Sequence, residues 1–232
     1  MDLILYFRVF IFFVDIAMIG YILNKNSKSM LNITCALLIL SYAIWTFGAT
    51  LSLRPDIAVN NMILFQNISS IGWISCVSFV LCFSLAFSKR ETLLKKKWVL
   101  IFIFILPVIF IFKQWTSSFT FSVPGNIGWE IEWKDKFWEF LFHVYSILFA
   151  LLSLYLIFRY GIQTNIKNKK KQFKTLIVTG IICFLTGTII EAILPLFDNN
   201  IVLSTGDLFN LISACGIVYA IIKQCRLVKV LD

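Results

Sequence analysis

The feature that most constrains this chain is a series of apolar runs, each close to the length of a membrane-spanning helix. About 20 helical residues cross the roughly 30 Å hydrocarbon core of a bilayer. With 59% hydrophobic and 14% charged residues, the composition also favours a membrane protein over a soluble domain. We therefore predict an all-α membrane protein, a seven-transmembrane-helix bundle forming a single domain over residues 1–232.

The seven predicted spans are residues 3–23, 30–53, 61–87, 98–112, 137–160, 175–197 and 205–222. The fourth span is short for a crossing, and the apolar character of the sequence allows it to continue to Trp115. This arrangement predicts a multi-pass protein of the cell membrane, with the lipid bilayer as its surroundings.

Basic residues are concentrated in alternate connections between these spans. Sixteen of the 21 lysines and arginines belong to the first, third and fifth connections and the C-terminal tail. They are Lys25, Lys28, Lys89, Arg90, Lys95, Lys96, Lys97, Arg159, Lys167, Lys169, Lys170, Lys171, Lys174, Lys223, Arg226 and Lys229. Because basic residues mark the cytoplasmic side, we expect the N-terminus outside and the C-terminus in the cytoplasm. The net charge of +9 then belongs mostly to helix ends that meet anionic lipid, which argues against a nucleic-acid partner.

The connection between spans four and five contains a stretch with a different period, FTFSVPGNIGWEIEW, at residues 119–133. Apolar residues alternate on both sides of Pro124-Gly125, which predicts two strands joined by a type II turn. We therefore expect a small extracellular β-hairpin between helices 4 and 5 of the seven predicted spans. The alternation predicts one apolar face made of Phe119, Phe121, Val123, Ile127, Trp129, Ile131 and Trp133. Such a face either covers the mouth of the bundle as a lid or rests on lipid headgroups as an anchor.

Residues that several enzyme and pigment classes require are missing from the sequence. A retinal protein needs a lysine inside the last span, where none precedes Lys223. A serine protease of the membrane needs a GxSG-type serine, and one histidine, His143, cannot build a zinc site. None of the six cysteines forms a CxxC pair. We therefore expect a protein that is not an enzyme and has no cofactor or metal.

Polar side chains inside the spans indicate a candidate binding layer, because such groups usually face the bundle interior or a cavity. At about 1.5 Å per residue, five of them from five spans lie about 8–9 Å below the outer ends of their helices. The predicted ligand-binding residues are these five and one hairpin tryptophan: Arg8, Gln66, His143, Glu191, Asn210 and Trp129. Asp15 lies deeper, at about 18 Å. Snorkelling of the arginine, and interhelical hydrogen bonds by the histidine and the two amides, are simpler explanations.

Short segments in a fixed order are typical of a known family. They are Ala43–Gly48 in span two, Phe65–Gly72 at the start of span three, Phe87–Arg90 at its end, and Tyr219–Lys223 followed by Arg226-Leu227. With these segments the chain resembles the seven-helix N-terminal sensor region of bacterial histidine kinases. The resemblance implies a signal-input module that precedes a cytoplasmic output such as a kinase. At the tail, Gln224-Cys225 stands where the family often has an aromatic residue between two basic ones.

The main hypothesis is a sensor that binds an external small-molecule or lipidic ligand and relays a helix rearrangement to a cytoplasmic kinase or other signalling partner. A small transporter or channel subunit is the alternative, although the in-span prolines Pro107 and Pro195 form no obvious repeat. A membrane scaffold that binds another protein through its basic loops is a third possibility. The chain ends at Asp232, shortly after the last span, which fits either an isolated input domain or a protein that works through a partner.

Overall fold

The structure, a computed structural model, describes residues 2–51, 57–125, 128–163, 173–182 and 210–219. Five helices in these ranges are long and apolar enough to cross a membrane. They are α1 (Asp2–Asn26), α2 (Met30–Leu51), α3 (Val59–Phe87), α5 (Lys97–Ser117) and α6 (Lys136–Gln163). The remaining described elements are α4 (Glu91–Leu94), strands β1 (Thr120–Gly125) and β2 (Gly128–Trp133), and the shorter apolar helices α7 (Phe173–Ile182) and α8 (Asn210–Tyr219).

The five long helices confirm that the first five predicted spans are apolar helices. Each begins within two residues of its predicted start, because the change from polar to apolar sequence marks the boundary clearly. The fourth span does continue past Trp115, and α5 reaches 21 residues, enough for a crossing. α7 and α8 overlap the sixth and seventh predicted spans, whose other residues lie outside the described ranges.

α2 and α3 pack with their backbones in close contact at two glycines. A Cβ added to Gly72 would lie 2.5 Å from the carbonyl oxygen of Ser41 and 2.5 Å from the backbone nitrogen of Trp45. A Cβ added to Gly48 would lie 2.3 Å from the Cβ of Ser69. Small residues at such contacts let membrane helices approach closely and gain dispersion energy, since lipid supplies no hydrophobic drive between helices.

α3 also contacts α5 and α6 through buried hydrogen bonds. Ser78 Oγ donates to the carbonyl oxygen of Ile103 on α5 at 2.8 Å. Tyr145 of α6 inserts its hydroxyl against α3, where it donates to the Ile74 carbonyl at 3.0 Å and lies 2.9 Å from Ser78 Oγ. With α2 on another side, α3 is the central helix of the described bundle.

α7 extends the bundle from α6 to α8. Its Phe173 ring lies against Gly161 of α6, where an added Cβ would be 2.3 Å from the ring. Its Thr179 lies against Gly216 of α8, where an added Cβ would be 2.7 Å from the threonine methyl group. α7 thus packs between α6 and α8 at small residues.

α8 in turn contacts α2. Ser213 Oγ lies 3.4 Å from the hydroxyl of Tyr42 on α2. The described contacts therefore link α6 to α7, α7 to α8, α8 to α2, and α2 to α1.

The hairpin and the two described basic connections, at residues 24–29 and 88–97, lie at opposite ends of this bundle. Arg8 near the start of α1 reaches Ala49 near the end of α2, and Gln66 near the start of α3 reaches the hairpin. The connections at residues 24–29 and 88–97, with their lysines, follow the other ends of the same helices. This agrees with the predicted segregation of basic loops from the hairpin, while the side of the membrane that each end faces stays a prediction.

The predicted hairpin is confirmed, but its turn is displaced from Pro-Gly. The two strands pair antiparallel from Thr120 and Trp133 at the base to Gly125 and Gly128 at the tip. The connection is therefore at residues 126–127, which lie outside the described ranges. The Pro-Gly signal was misleading because both residues remain in the strand pairing.

The predicted single apolar face of the hairpin is wrong, because the register forbids it. Residues paired across an antiparallel ladder share a face. Phe121 pairs with Glu132, and both side chains are exposed, whereas Thr120 pairs with Trp133 on the other face. Even positions of β1 are paired with odd positions of β2. Since the apolar residues occupy odd positions in both strands, those of β1 and those of β2 lie on opposite faces.

Candidate functional site at the base of the hairpin

Four buried polar side chains fasten the start of β1 to α3 and α5. They are Gln66 and Asn67 of α3, Gln114 of α5 and Thr120 of β1. Gln114 Oε1 accepts from the backbone nitrogen of Thr120 at 3.1 Å and from its hydroxyl at 3.0 Å. Gln114 Nε2 donates to the Thr120 carbonyl at 3.2 Å and to Asn67 Oδ1 at 3.2 Å. We call this group the polar cluster.

Gln66 joins the polar cluster through the same threonine. Its Nε2 donates to Thr120 Oγ1 at 2.9 Å, and that hydroxyl donates onward to Gln114. Trp115 adds an indole donor to the Asn67 carbonyl at 3.2 Å. Such a connected network is stronger in a low-dielectric interior than in water, and it fixes the geometry of the groups it joins. The base of β1 therefore has a defined position relative to both helices.

Aromatic side chains fasten the other sides of the hairpin base. Phe119, just before β1, is 1% exposed. Rings whose centroids lie 5.6 to 6.4 Å from its own surround it: Trp73, Phe110, Trp133 and Trp138. Trp133 at the end of β2 also lies 5.6 Å from Phe142 of α6. Since each such pair contributes about 0.5–1.5 kcal/mol beyond its buried area, the aromatic group holds β2 between α3 and α6.

Two buried polar atoms near these rings have no hydrogen-bond partner in the described part of the chain. They are Trp73 Nε1 and Ser146 Oγ. The Trp73 ring lies 4.9 Å from Phe142, and Ser146 follows one turn later on α6. Buried polar groups are normally paired, and an unpaired one costs about 1–3 kcal/mol. A ligand with polar groups would gain by supplying the missing partner.

Arg8 and Gln66, two of the predicted binding residues, lie at the same level of the bundle. Arg8 is buried and donates from Nη1 to the Ala49 carbonyl of α2 at 2.7 Å. The adjacent Gly48 packs on Ser69 of α3, one turn from Gln66. These two side chains therefore lie at one level of the bundle, with α2 between them.

His143 is linked to the same site through β2. Its Nδ1 lies 2.7 Å from the carbonyl oxygen of Glu139, one turn earlier on α6. Its ring centroid lies 5.5 Å from that of Trp133, which pairs with Thr120 in the sheet. Trp133 contacts His143, and its strand partner Thr120 is bonded to Gln66. The first residue pair of the hairpin therefore links His143 to Gln66.

The remaining predicted residues are less closely connected to this site. Asn210 is buried on α8, and its Nδ2 makes no hydrogen bond with the described residues. Trp129 pairs in the backbone with Pro124 towards the hairpin tip. Glu191 lies outside the described ranges. Binding of a ligand by these six residues stays a prediction.

Sequence reasoning did not identify Asn67, Gln114 and Thr120 as site residues. A usable signal was present at Gln114, an amide that lies two residues after the apolar run ending at Phe112 and directly before Trp115. An amide within a spanning helix needs partners, and the neighbouring hairpin was the available source. Asn67 and Thr120 lie next to predicted features and carried no separate signal.

Residues 7–224 match the family described as the N-terminal 7TM region of histidine kinase. The matched range contains the hairpin, α7, α8 and almost all of the five long helices. No curated protein matches the sequence.

Proposed function

The chain belongs to the family of N-terminal 7TM regions of histidine kinases, and we propose that it is a signal-input domain for an external ligand. The ligand is a small or lipidic molecule that binds at the hairpin end of the bundle. The output is a helix rearrangement passed to a cytoplasmic kinase or another signalling partner. The fastening of the hairpin to three helices at once is the observation that supports this function most directly.

The proposal includes the complete topology. α7 and α8 belong to the sixth and seventh crossings, with the N-terminus outside and the C-terminus in the cytoplasm of the cell. The basic connections at the end opposite the hairpin support this orientation, because basic residues accumulate on the cytoplasmic side. The hairpin then stands on the outer side, where an external ligand reaches it.

A ligand shifts such a domain only if it binds one helix arrangement more tightly than the other. The hairpin base offers the contacts for that difference. Thr120 is bonded to α3 and α5, and Trp133 packs on α3 and α6, so a displaced hairpin must change all three helix contacts. The unpaired Trp73 Nε1 and Ser146 Oγ are groups that a bound ligand can satisfy in one arrangement.

The route from α3 to the cytoplasmic side runs through α2 and α8. The backbones of α3 and α2 are in contact at Gly72, and the proposed relay passes from α3 to α2 there. α2 contacts α8 through Tyr42 and Ser213. α8 belongs to the last predicted span, which leads to the C-terminal tail, so it is the helix that delivers the change to an output partner.

Thermal-shift measurements on the purified chain in lipid nanodiscs test the ligand part of the proposal. Compounds that raise the melting temperature of the wild type are retested on Glu191→Gln and on Ser146→Ala. We expect at least one of the two variants to lose most of the stabilisation. Equal stabilisation of both variants and the wild type removes these residues from the site.

Distance measurements test the relay. In a variant whose native cysteines are replaced, spin labels are placed at Phe121→Cys on the hairpin and Gln163→Cys at the end of α6, both exposed positions. We expect an active compound to change the distance between the labels. An unchanged distance under saturating compound contradicts a ligand-driven movement of the hairpin against α6, with which the proposed relay begins. Solute flux that depends on Asp15 or Glu191 in proteoliposomes favours a transporter instead.

A further inference from the structure

A polar depression lies beside the base of the hairpin, on the outside of the bundle. Its volume is about 430 Å³. The lining residues are Lys113, Ser117, Ser118, Phe119, Lys134, Asp135 and Lys136. It therefore touches the last turn of α5, the residues that flank both strands, and the first residue of α6.

The depression lies at the level where two spans leave the hydrocarbon. α5 ends at Ser117 and α6 begins at Lys136, and both are of spanning length and composition. Phospholipid phosphates occupy this level of a bilayer. Phe112, Trp115 and Phe137, which adjoin these helix ends in the sequence, have exposed aromatic side chains, as expected for the interface between headgroups and acyl chains.

The basic residues of this end are gathered in one place. Besides Arg8, which is inside α1, the hairpin side has Arg54, Lys113, Lys134 and Lys136 in the sequence. Arg54 lies outside the described residues, and the other three all line the depression. Since basic residues are sparse on the non-cytoplasmic side, their convergence at one depression is informative.

The charges around the depression leave it positive. Lys136 Nζ pairs with Glu139 Oε2 at 3.0 Å, and Lys113 Nζ stands 5.3 Å from the centre of the Trp138 ring. The carboxylate of Asp135 also lines the depression, and its Oδ1 accepts from the backbone nitrogen of Phe137 as a cap of α6. The depression therefore has three ammonium groups and two neighbouring carboxylates, those of Asp135 and Glu139. Each carboxylate already has a partner within the protein.

We propose that this depression binds the phosphate of an anionic phospholipid in the outer leaflet. Lys113 and Lys134 provide the charge, the hydroxyls of Ser117 and Ser118 can donate hydrogen bonds, and the acyl chains run along the exposed aromatic face. The bound phosphate touches the chain on both sides of the hairpin, whose base is closed by the bond from Lys134 N to the Phe119 carbonyl at 2.8 Å.

This inference rests on the proposed function for its biological meaning, because it names the ligand class of the input domain. Binding itself needs no output, so the two can fail separately. If the phospholipid binds but the label distance between hairpin and α6 does not change, the signalling proposal fails and the binding site stands.

The test is a titration of the purified full chain with short-chain phosphatidylglycerol and phosphatidylcholine, followed by native mass spectrometry. We expect the wild type to bind phosphatidylglycerol about tenfold or more tightly than phosphatidylcholine. A lysine near an anionic lipid surface contributes roughly a fivefold change in binding, so Lys113→Gln with Lys134→Gln lowers the preference by about tenfold or more. The control Lys28→Gln, an exposed lysine at the opposite end, keeps it.

A variant with the opposite expected sign separates binding from misfolding. Asp135→Asn removes a carboxylate from the depression while keeping a side chain that caps helices well. We expect it to strengthen phosphatidylglycerol binding several-fold. Equal binding of the two lipids by the wild type overturns the proposal, as does a preference that is undiminished in the double lysine variant. Inorganic phosphate that binds as tightly as the lipid overturns the lipid assignment.

Discussion

α3 and α5 have almost the same hydropathy but occupy different places in the molecule. The most apolar window of α3 has a mean hydropathy of 2.0 and that of α5 has 2.2, yet 67% of the first window is buried and 22% of the second. Hydropathy measures the tendency to enter a membrane and does not determine which neighbours cover a helix. The two helices differ in small polar residues: α3 buries Ser69, Ser70, Ser75, Ser78 and Ser84.

The comparison shows what holds a membrane bundle together. Apolar side chains are solvated by lipid as well as by other helices, so they give little preference for a central position. α3 is central because glycines admit α2 and because buried serines and Tyr145 supply hydrogen bonds. α5 is held along one stripe, Val99, Ile103, Pro107, Phe110 and Gln114, and most specifically at its hairpin end.

The largest expected effect is at the glycine contact of α3. Gly72→Ala places a Cβ 2.5 Å from two backbone atoms of α2, which cannot move like the end of a flexible side chain. We expect a loss of about 4 kcal/mol or more in unfolding free energy, measured by reversible unfolding in mixed micelles. Gly20→Ala is the control, because an added Cβ there meets nothing within 4 Å. Equal stability of the two variants would show that α2 and α3 are not packed this closely.

On α5, the expected effect depends on the side of the helix that is changed. Phe110 is 2% exposed and contacts Phe119, Trp138 and Phe142, whereas Phe112 is 69% exposed. We expect Phe110→Ala to cost about 3 kcal/mol in the same unfolding assay, because it leaves a cavity among rings. Phe112→Ala should leave the unfolding free energy almost unchanged. Similar losses for both variants would contradict the narrow stripe.

The sequence was sufficient to predict where the long helices begin, but it gave only a loose bound for the end of α5. The predicted fourth span ends at Phe112, before the polar pair Lys113-Gln114, with a continuation to Trp115 allowed. In the structure the helix continues to Ser117, because Thr120 and Asn67 satisfy the Gln114 amide. These hydrogen-bond partners of Gln114 belong to other elements, so the apolar pattern of the α5 sequence alone does not reveal them.

The candidate site shows the same division between local and tertiary information. Depth along a helix follows from the rise per residue, so Arg8 and Gln66 were placed at a common level. Depth does not fix rotation about the helix axis, and therefore did not give their partners Ala49 and Thr120. For the hairpin, the alternation of apolar residues correctly predicted two strands. It did not predict their register, which depends on the length of the connection and places the apolar residues of the two strands on opposite faces.

The next largest effect concerns the end of α5, where a single amide has the role that serines have in α3. Gln114→Leu removes the partner of the Thr120 backbone nitrogen and leaves Asn67 Oδ1 without that donor. We expect a loss of about 2 kcal/mol and faster proteolysis within the hairpin. The control is Gln163→Leu, an exposed glutamine at the far end of α6. Unchanged proteolysis in Gln114→Leu would mean that the aromatic rings alone hold the hairpin.

The smallest expected effect tests whether hydrogen bonds contribute to the central position of α3. Tyr145→Phe keeps the ring among Phe110, Phe142 and Phe149 and removes only the hydroxyl that reaches α3. Interhelical hydrogen bonds in membranes contribute about 0.6 kcal/mol on average and up to about 1.7, so we expect a loss of about 1 kcal/mol. Tyr155→Phe, exposed on the same helix, is the control. If both variants unfold alike, close packing at the glycines is enough to hold α3 in place.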